Sequence, residues 1–315
     1  MTTTATLPDL LDSVVIGGGA AGLAGAITLA RSRRSVLVVD SGAPRNAPAD
    51  GVHALLGHEG IAPAELLARG RAELAGYGGR LLEAQVSAVS GSEGDFTVAL
   101  ADGRSVRARR VLVTTGLLDE LPDVPGVAEQ WGHGVVHCPY CHGWEVRDRT
   151  IAVLGTSPNS VHQALLFSQL SDRVTLVVHV ADVVNDEQRA QLAASGVEVL
   201  DARVAALESA DGEITGMRLA DGALRPCEVV VVATRMVART GFLAPLGLLP
   251  VAHPSGMGEH LQADTTGRTA VPGVWAAGNV ADLSAQVGAA AAAGTMAGAQ
   301  INADLVMERA RTALA

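Results

Sequence analysis

Residues 12–40, DSVVIGGGAAGLAGAITLARSRRSVLVVD, change hydrophobic period twice. The β-branched run at 13–16 predicts a buried strand, the small and apolar stretch after the glycines a helix, and SVLVVD a second buried strand. Residues 80–116 alternate more tightly, and LLEAQVSAVS, DFTVALADG and RRVLVTTG read as strands joined by Gly/Asp turns. LLDELPDVPG, after Gly116, is a Pro-rich connector and marks a domain crossing. A second strand–turn–helix–strand unit begins at TIAVLGTSPNSVHQALLFSQLSDRVTLVVH, EVVVVATR adds a strand, and GFLAPLGLLP marks a second crossing. GVWAAGNVAD then predicts a strand and turn before a small-residue helix over 285–310. The fold class is α/β, with two nucleotide-binding, Rossmann-like domains, the second inserted into the first. The boundaries are 1–118 and 245–315 for the discontinuous domain and 119–244 for the insert. Two copies of the unit do not make a solenoid.

Composition narrows the function classes. A chain of 315 residues accommodates two domains, and no apolar run approaches the roughly 18–20 residues of a membrane span. MTTTATLPDLLDSVV has no basic region before its apolar run, so it reads as no secretory signal and the chain as cytoplasmic. The net charge of −10, without a basic cluster interleaved with aromatics, argues against a nucleic-acid surface. All 23 basic residues are Arg, which excludes Schiff-base and Walker-type lysine chemistry. Three cysteines are too few for a disulfide scaffold. Cys227, alone before EVVVVAT, reads as a small buried residue at a strand edge.

Gly17-x-Gly19-x-x-Gly22 follows a strand and opens a helix, and Asp40 ends the next strand 18 residues beyond the last glycine. In that context the motif indicates a dinucleotide site. The first glycine permits the tight turn, the second lets backbone approach a pyrophosphate, and the third brings helix against strand. The helix N-terminus attracts phosphate charge, and Asp40 can accept hydrogen bonds from a ribose diol.

The segment VVHCPYCHGWE, residues 135–145, admits several chemistries. Cys138-x-x-Cys141-His142 has the form of a c-type haem attachment, Cys138-Pro-Tyr-Cys141 that of a glutaredoxin pair, and the thiols with His137 and His142 could form a zinc site.

The order GxGxxG with an acid, TTG, Cys-x-x-Cys, a second βαβ unit and GVWAAGN resembles the low-molecular-weight thioredoxin reductases over nearly the whole chain. The resemblance implies a three-layer ββα form for each domain, FAD in the first, and a homodimer. It places FAD on Gly17, Gly19, Ala20, Ala21, Gly22, Asp40, Ser41, Arg45, Asn46, His53, Val86, Thr115, Gly116, Gly278, Asn279, Gln286 and Val287. The helix beginning near Gln286 would direct its positive end toward a reduced, anionic flavin.

Two departures change the implied reaction. The second nucleotide turn is Gly155-Thr156-Ser157-Pro158-Asn159-Ser160, where the reductases have GxGxxA. Ser157 would crowd the pyrophosphate path and Pro158 removes an N–H donor. The strand VTLVVHVAD lacks the Arg pair that would clamp a 2′-phosphate, and His179 replaces it poorly at neutral pH. Nicotinamide binding is therefore expected to be lost. The second departure is His142, followed by Gly143-Trp144-Glu145, in the place of the reductases' Asp. Cys-x-x-Cys-His-Gly, PRNAPADGVHALLGHEG at 44–60 and Asn279 resemble the dithiol oxidases of disulfide-containing natural products, the holomycin and gliotoxin type.

Haem attachment requires export, glutaredoxin would place its pair soon after a first strand, and His137 directly before Cys138 gives zinc an awkward geometry. Flavin-coupled thiol chemistry is the expectation, with metal ligands assigned to none; beside a dithiol oxidase it leaves an NADPH-dependent thioredoxin or disulfide reductase and a flavin-bound thiol redox sensor as alternatives. The resemblance implies Cys138 as the interchange thiol and Cys141 as the flavin-proximal one. A small dithiol, a dithiolopyrrolone such as reduced holomycin first, would be closed to a disulfide, with oxygen as acceptor and hydrogen peroxide as product. His142 is expected to take the thiol proton, since its ordinary pKa of about 6.5 suits a base near neutrality. His137 either assists or is a loop histidine, and His53 is expected near the flavin. Tyr140 and Trp144 could line an apolar pocket, with core packing the default for Trp144.

Overall fold

The computed structural model describes residues 9–314, so the first eight residues of the N-terminal stretch discussed above lie outside the described residues. The chain divides into two compact units: 1–47, 61–118 and 236–315 form one, and 48–60 with 119–235 form the other.

The first unit begins with β1 (Leu11–Ile16), α1 (Ala20–Arg31) and β2 (Val36–Asp40). α2 (Pro63–Gly76), β3 (Arg80–Glu83), β4 (Val86–Ser92), β5 (Asp95–Leu100) and β6 (Ser105–Val113) follow. Central β1 is parallel to β2 and β6, in the sheet order β3-β2-β1-β6-β5-β4. β1 and β2 are buried almost throughout, which is why they read as continuous apolar runs rather than alternations. β4 and β5 form an antiparallel hairpin-like extension on β6, where alternation returns.

β7 (Leu117–Glu120) runs through the first crossing. The second unit then contains β8 (Val135–Val136), the single-turn α3 (Pro139–His142), β9 (Ile151–Leu154), α4 (Asn159–Phe167) and β10 (Val174–Val177). α5 (Asp186–Ala194), β11 (Glu198–Leu200), β12 (Val204–Ala210), β13 (Glu213–Leu219), β14 (Leu224–Pro226) and β15 (Val229–Val232) complete it. Its parallel sheet has the order β11-β10-β9-β15-β8, with a separate antiparallel β12-β13-β14 sheet. Each unit thus presents the parallel sheet, helical layer and antiparallel sheet expected of a three-layer nucleotide fold. Cys227 is 3% exposed within the second core, and burial pushes its thiol up to about 12, so it is inert as the sequence suggests.

β16 (Arg235–Ala238) runs through the second crossing, followed by β17 (Val251–Ala252), β18 (Gly258–His260), β19 (Val274–Ala276) and α6 (Val287–Thr312). β19 adds in parallel to β6 and returns the chain to the first sheet. α6 then packs on α1 through backbone rather than side chains. A Cβ at Gly294 would lie 1.9 Å from Ala21 O, and one at Gly298 would lie 2.6 Å from Gly25 O. At its far end α6 is anchored by Arg110 of β6, a buried guanidinium 2.6 Å from Asp304 and 2.8 Å from Glu308. Burial alone would raise the Glu308 carboxyl, but Arg109 and Arg110 outweigh it and hold it below its ordinary range. Among the described residues no helix is long and apolar enough to cross a membrane.

Candidate active site

In the first unit, three chain ends converge at the carboxyl edge of the parallel sheet, where α/β folds bind ligands. The first is the glycine turn after β1. Gly17 has φ +105°, and a Cβ there would lie 2.4 Å from Thr114 O. A Cβ at Gly22 would lie 1.9 Å from Gly17 O, whereas one at Gly19 would meet nothing within 4 Å. Packing therefore demands glycine at the first and third positions and leaves open space at the second, before the N-terminus of α1. The second end follows β6: Thr114 Oγ1 donates to Gly17 O at 2.8 Å, and Thr115 Oγ1 to Arg239 O at 2.7 Å. The third is the turn at Gly278, φ +76°, where a Cβ would lie 2.9 Å from the Ala21 methyl.

The other residues assigned to the cofactor sit around this edge with unequal roles. Asp40 accepts from Gly18 N at 3.1 Å and from Arg71 Nη2 at 3.1 Å, so it already braces the glycine turn. Arg71 was not legible in the sequence; it sits on α2, and its Nε is buried with no hydrogen-bond partner. Ala20 and Ala21 form the first turn of α1. Ser41 is exposed, Arg45 and Asn46 are half-buried in the stretch after β2, and Val86 is half-buried at the start of β4. Thr115 and half-buried Gly116, φ +66°, follow β6. Asn279 folds back, its Nδ2 donating to Asp282 O at 3.1 Å and Ala285 O at 2.9 Å, so it shapes the loop that leads into α6. Gln286 is the N-cap of α6 without a side-chain cap bond, and the first turn, from Val287, carries no acid. That leaves the positive helix end available to an anion. The open backbone at Gly19 and two helix N-termini fit a dinucleotide.

Segment 48–60 belongs to the second unit, where His53 lines a cavity of about 100 Å³ with His142, Glu145, His133 and Asp50.

The redox pair lies at the C-terminal end of β8. Cys138 is the N-cap of α3, Cys141 lies one turn on, and the two form a disulfide with Cα atoms 5.3 Å apart. Gly143 ends the turn, and a Cβ there would lie 2.2 Å from Pro139 O, which explains the glycine after CPYCH. Gln163 of α4 ties the segment down by donating to His137 O at 2.8 Å and Val232 O at 3.0 Å. Nothing in the sequence marked Gln163, one of four polar residues in the first half of its helix.

His142 is half-buried, and its Nδ1 has no hydrogen-bond partner. Burial lowers its pKa below the ordinary 6.5, Glu145 opposes this, His53 adds to it and Asp50 opposes it. The ring is accordingly neutral at pH 7 and can accept a proton. His137 stacks on Trp131, with ring centroids 5.4 Å apart. Trp144 corrects the core-packing default: it is 67% exposed, as is Tyr140, and the Arg147 guanidinium covers its ring at 4.0 Å. Trp144 lies in the turn after α3 beside exposed Glu145, in a stretch that faces solvent.

The second nucleotide turn is closed in on itself. A Cβ at Gly155 would lie 2.8 Å from Val177 O, and Pro158, without an N–H, is the N-cap of α4. Ser157 Oγ is buried and has no hydrogen-bond partner. His179 Nδ1 accepts from Val204 N at 3.0 Å, and burial, then the charge of Arg203, lowers its pKa. It therefore offers a 2′-phosphate no positive charge at neutral pH.

Two nucleotide-type folds with a Cys-x-x-Cys disulfide in the second define a disulfide oxidoreductase. Residues 11–297 match the family described as pyridine nucleotide-disulphide oxidoreductase, and the chain belongs to that family of flavoproteins. It is 32% identical to "Thioredoxin reductase tcpT" of Claviceps purpurea (strain 20.1), over 94% of this chain and 96% of that one. It is 30% identical to "Thioredoxin reductase sirT" of Leptosphaeria maculans, over 95% of each. Among solved structures, that of HlmI superposes with a TM-score of 0.90 at 44% identity, covering 96% of this chain and 95% of that one.

Proposed function

We propose that the protein is an FAD-dependent dithiol oxidase that closes an intramolecular disulfide in a small dithiol, with oxygen as the final acceptor. The observation that carries this reading is His142, a neutral proton acceptor on the same single helical turn as the Cys138–Cys141 disulfide. A substrate thiol gives its proton to His142, and the resulting thiolate attacks Cys138 Sγ, breaking the Cys138–Cys141 bond and releasing Cys141 as a thiolate. The second substrate thiolate attacks the substrate sulfur of this mixed disulfide and displaces Cys138. The substrate has then lost two electrons and two protons: the pair holds the electrons as the Cys141 thiol, which has taken the second substrate proton, and the Cys138 thiolate, while the first proton remains on His142. The glycine turn, Asp40, Thr115–Gly116, the Gly278 turn and the α6 N-terminus would hold FAD, which when bound would accept the electron pair from the thiols and deliver it to oxygen as hydrogen peroxide. Pro158 and neutral His179 support the direction, because both weaken a nicotinamide site. Exposed Trp144 and Tyr140 offer an apolar face to a ring-bearing dithiol, and a dithiolopyrrolone is the first substrate to test.

The relatives' names favour a second reading, an NADPH-dependent disulfide reductase. Anaerobic mixing separates the two. A small dithiol is expected to bleach the flavin, air to restore it with peroxide release, and Cys138→Ser or Cys141→Ser to abolish the bleaching. Stoichiometric bleaching by NADPH instead establishes the reductase.

A further inference from the structure

A base that takes up a thiol proton must lose it again before the next turnover, and His142 is half-buried. The groups facing it across the cavity are Asp50, His53, His133 and Glu145. Of these, His53 has a defined onward connection. Its Nδ1 lies 2.6 Å from Glu59 Oε1, and its Nε2 lies 3.6 Å from Glu145 Oε1. Glu59 is fixed in turn, because its other oxygen accepts from Ala54 N at 2.9 Å. Ala54 itself stands at φ +56°, a conformation alanine rarely takes, within the 48–60 segment of the second unit. The carboxylate of Glu59 is in open solvent, whereas His53 is partly covered. A carboxylate–imidazole pair thus runs from the cavity wall to bulk water.

We propose that Glu59 and His53 act as a proton-exit pair for His142: the proton taken from the substrate thiol crosses the cavity, assisted by Glu145, to His53 Nε2, and the Nδ1 proton passes to Glu59 and solvent. His53 and Glu59 are positioning and relay residues, and His142 remains the group that meets the substrate. The inference rests on the dithiol-oxidase reading. It also reassigns His53 from cofactor binding to proton transfer.

The test is anaerobic rapid mixing of the flavin-loaded protein with dithiothreitol, following bleaching across pH for the wild type, His53→Gln and Glu59→Gln. His53→Gln is expected to slow bleaching about tenfold at neutral pH, below the usual range for a group that itself meets the substrate. The loss should be recovered by added imidazole or at raised pH, with the flavin spectrum and thermal midpoint unchanged. Glu59→Gln should lie between His53→Gln and wild type. Variants with the wild-type rate and pH profile overturn the relay, as does a slowing that neither imidazole nor pH relieves. If dithiothreitol does not bleach the wild type, the oxidase reading fails as well; if it does and the variants are unchanged, only the relay fails.

Discussion

At the residue scale, the protein turns on one imidazole whose properties come from where it is buried. The sequence identifies His142 as a base by its place after Cys141, but a histidine's ordinary pKa leaves it partly charged just below neutrality. Burial in the second unit lowers that value, with Glu145 and Asp50 opposing. The sign has a measurable consequence. The neutral, proton-accepting form persists as pH falls through 6.5, so the acid limb of dithiol-driven flavin bleaching should lie below pH 6.5. His142→Asn should remove that limb and slow bleaching by about two orders of magnitude or more. Stopped-flow rates between weakly acidic and neutral pH measure both, and a limb centred above 6.5 would contradict the assignment. The same lowered value means the unfolded chain binds the proton more readily, so this group's contribution to stability is present above pH 6.5 and is lost on acidification.

At the scale of elements, the first unit depends on α6 lying almost backbone-to-backbone on α1. The small residues of both helices were legible as helix, but their spacing did not say which neighbour they admit. Gly294 is the sharpest case. Replacing it with Ala would gain about 1 kcal/mol of helix propensity. The added methyl, however, would fall 1.9 Å from Ala21 O, backbone that cannot move aside cheaply. Overpacking of this kind costs about 1–3 kcal/mol, and the clash here is at the severe end. Gly294→Ala should therefore lower the thermal midpoint, and weaken flavin retention too, since Ala21 lies in the glycine turn's helix. Calorimetry and the flavin-to-protein ratio after gel filtration check this. An unchanged midpoint would mean that the helices separate more easily than their packing indicates.

At the scale of the whole molecule, α6 leaves one face uncovered. Met296 is 48%, Val306 49% and Met307 55% exposed, and Ala289, Ala292, Ala293, Ala299 and Ala303 continue the apolar surface at helical spacing. The family resemblance implies a homodimer, and this face is our candidate for its interface. Met296→Glu with Met307→Glu should convert a dimer to a monomer in light scattering, whereas the same substitutions leaving the mass unchanged would place the interface elsewhere. The sequence by itself determined the two nucleotide folds, the glycine turn and the redox pair, because each is written in adjacent residues: a period, a spacing, a Cys-x-x-Cys. The tertiary structure alone decided that residues 48–60 join the second unit, that His53 shares a cavity with His142, that Arg71 braces Asp40, and that Trp144 stands exposed. Those outcomes depend on burial and on contacts between residues tens of positions apart, and neither leaves a local pattern in the chain.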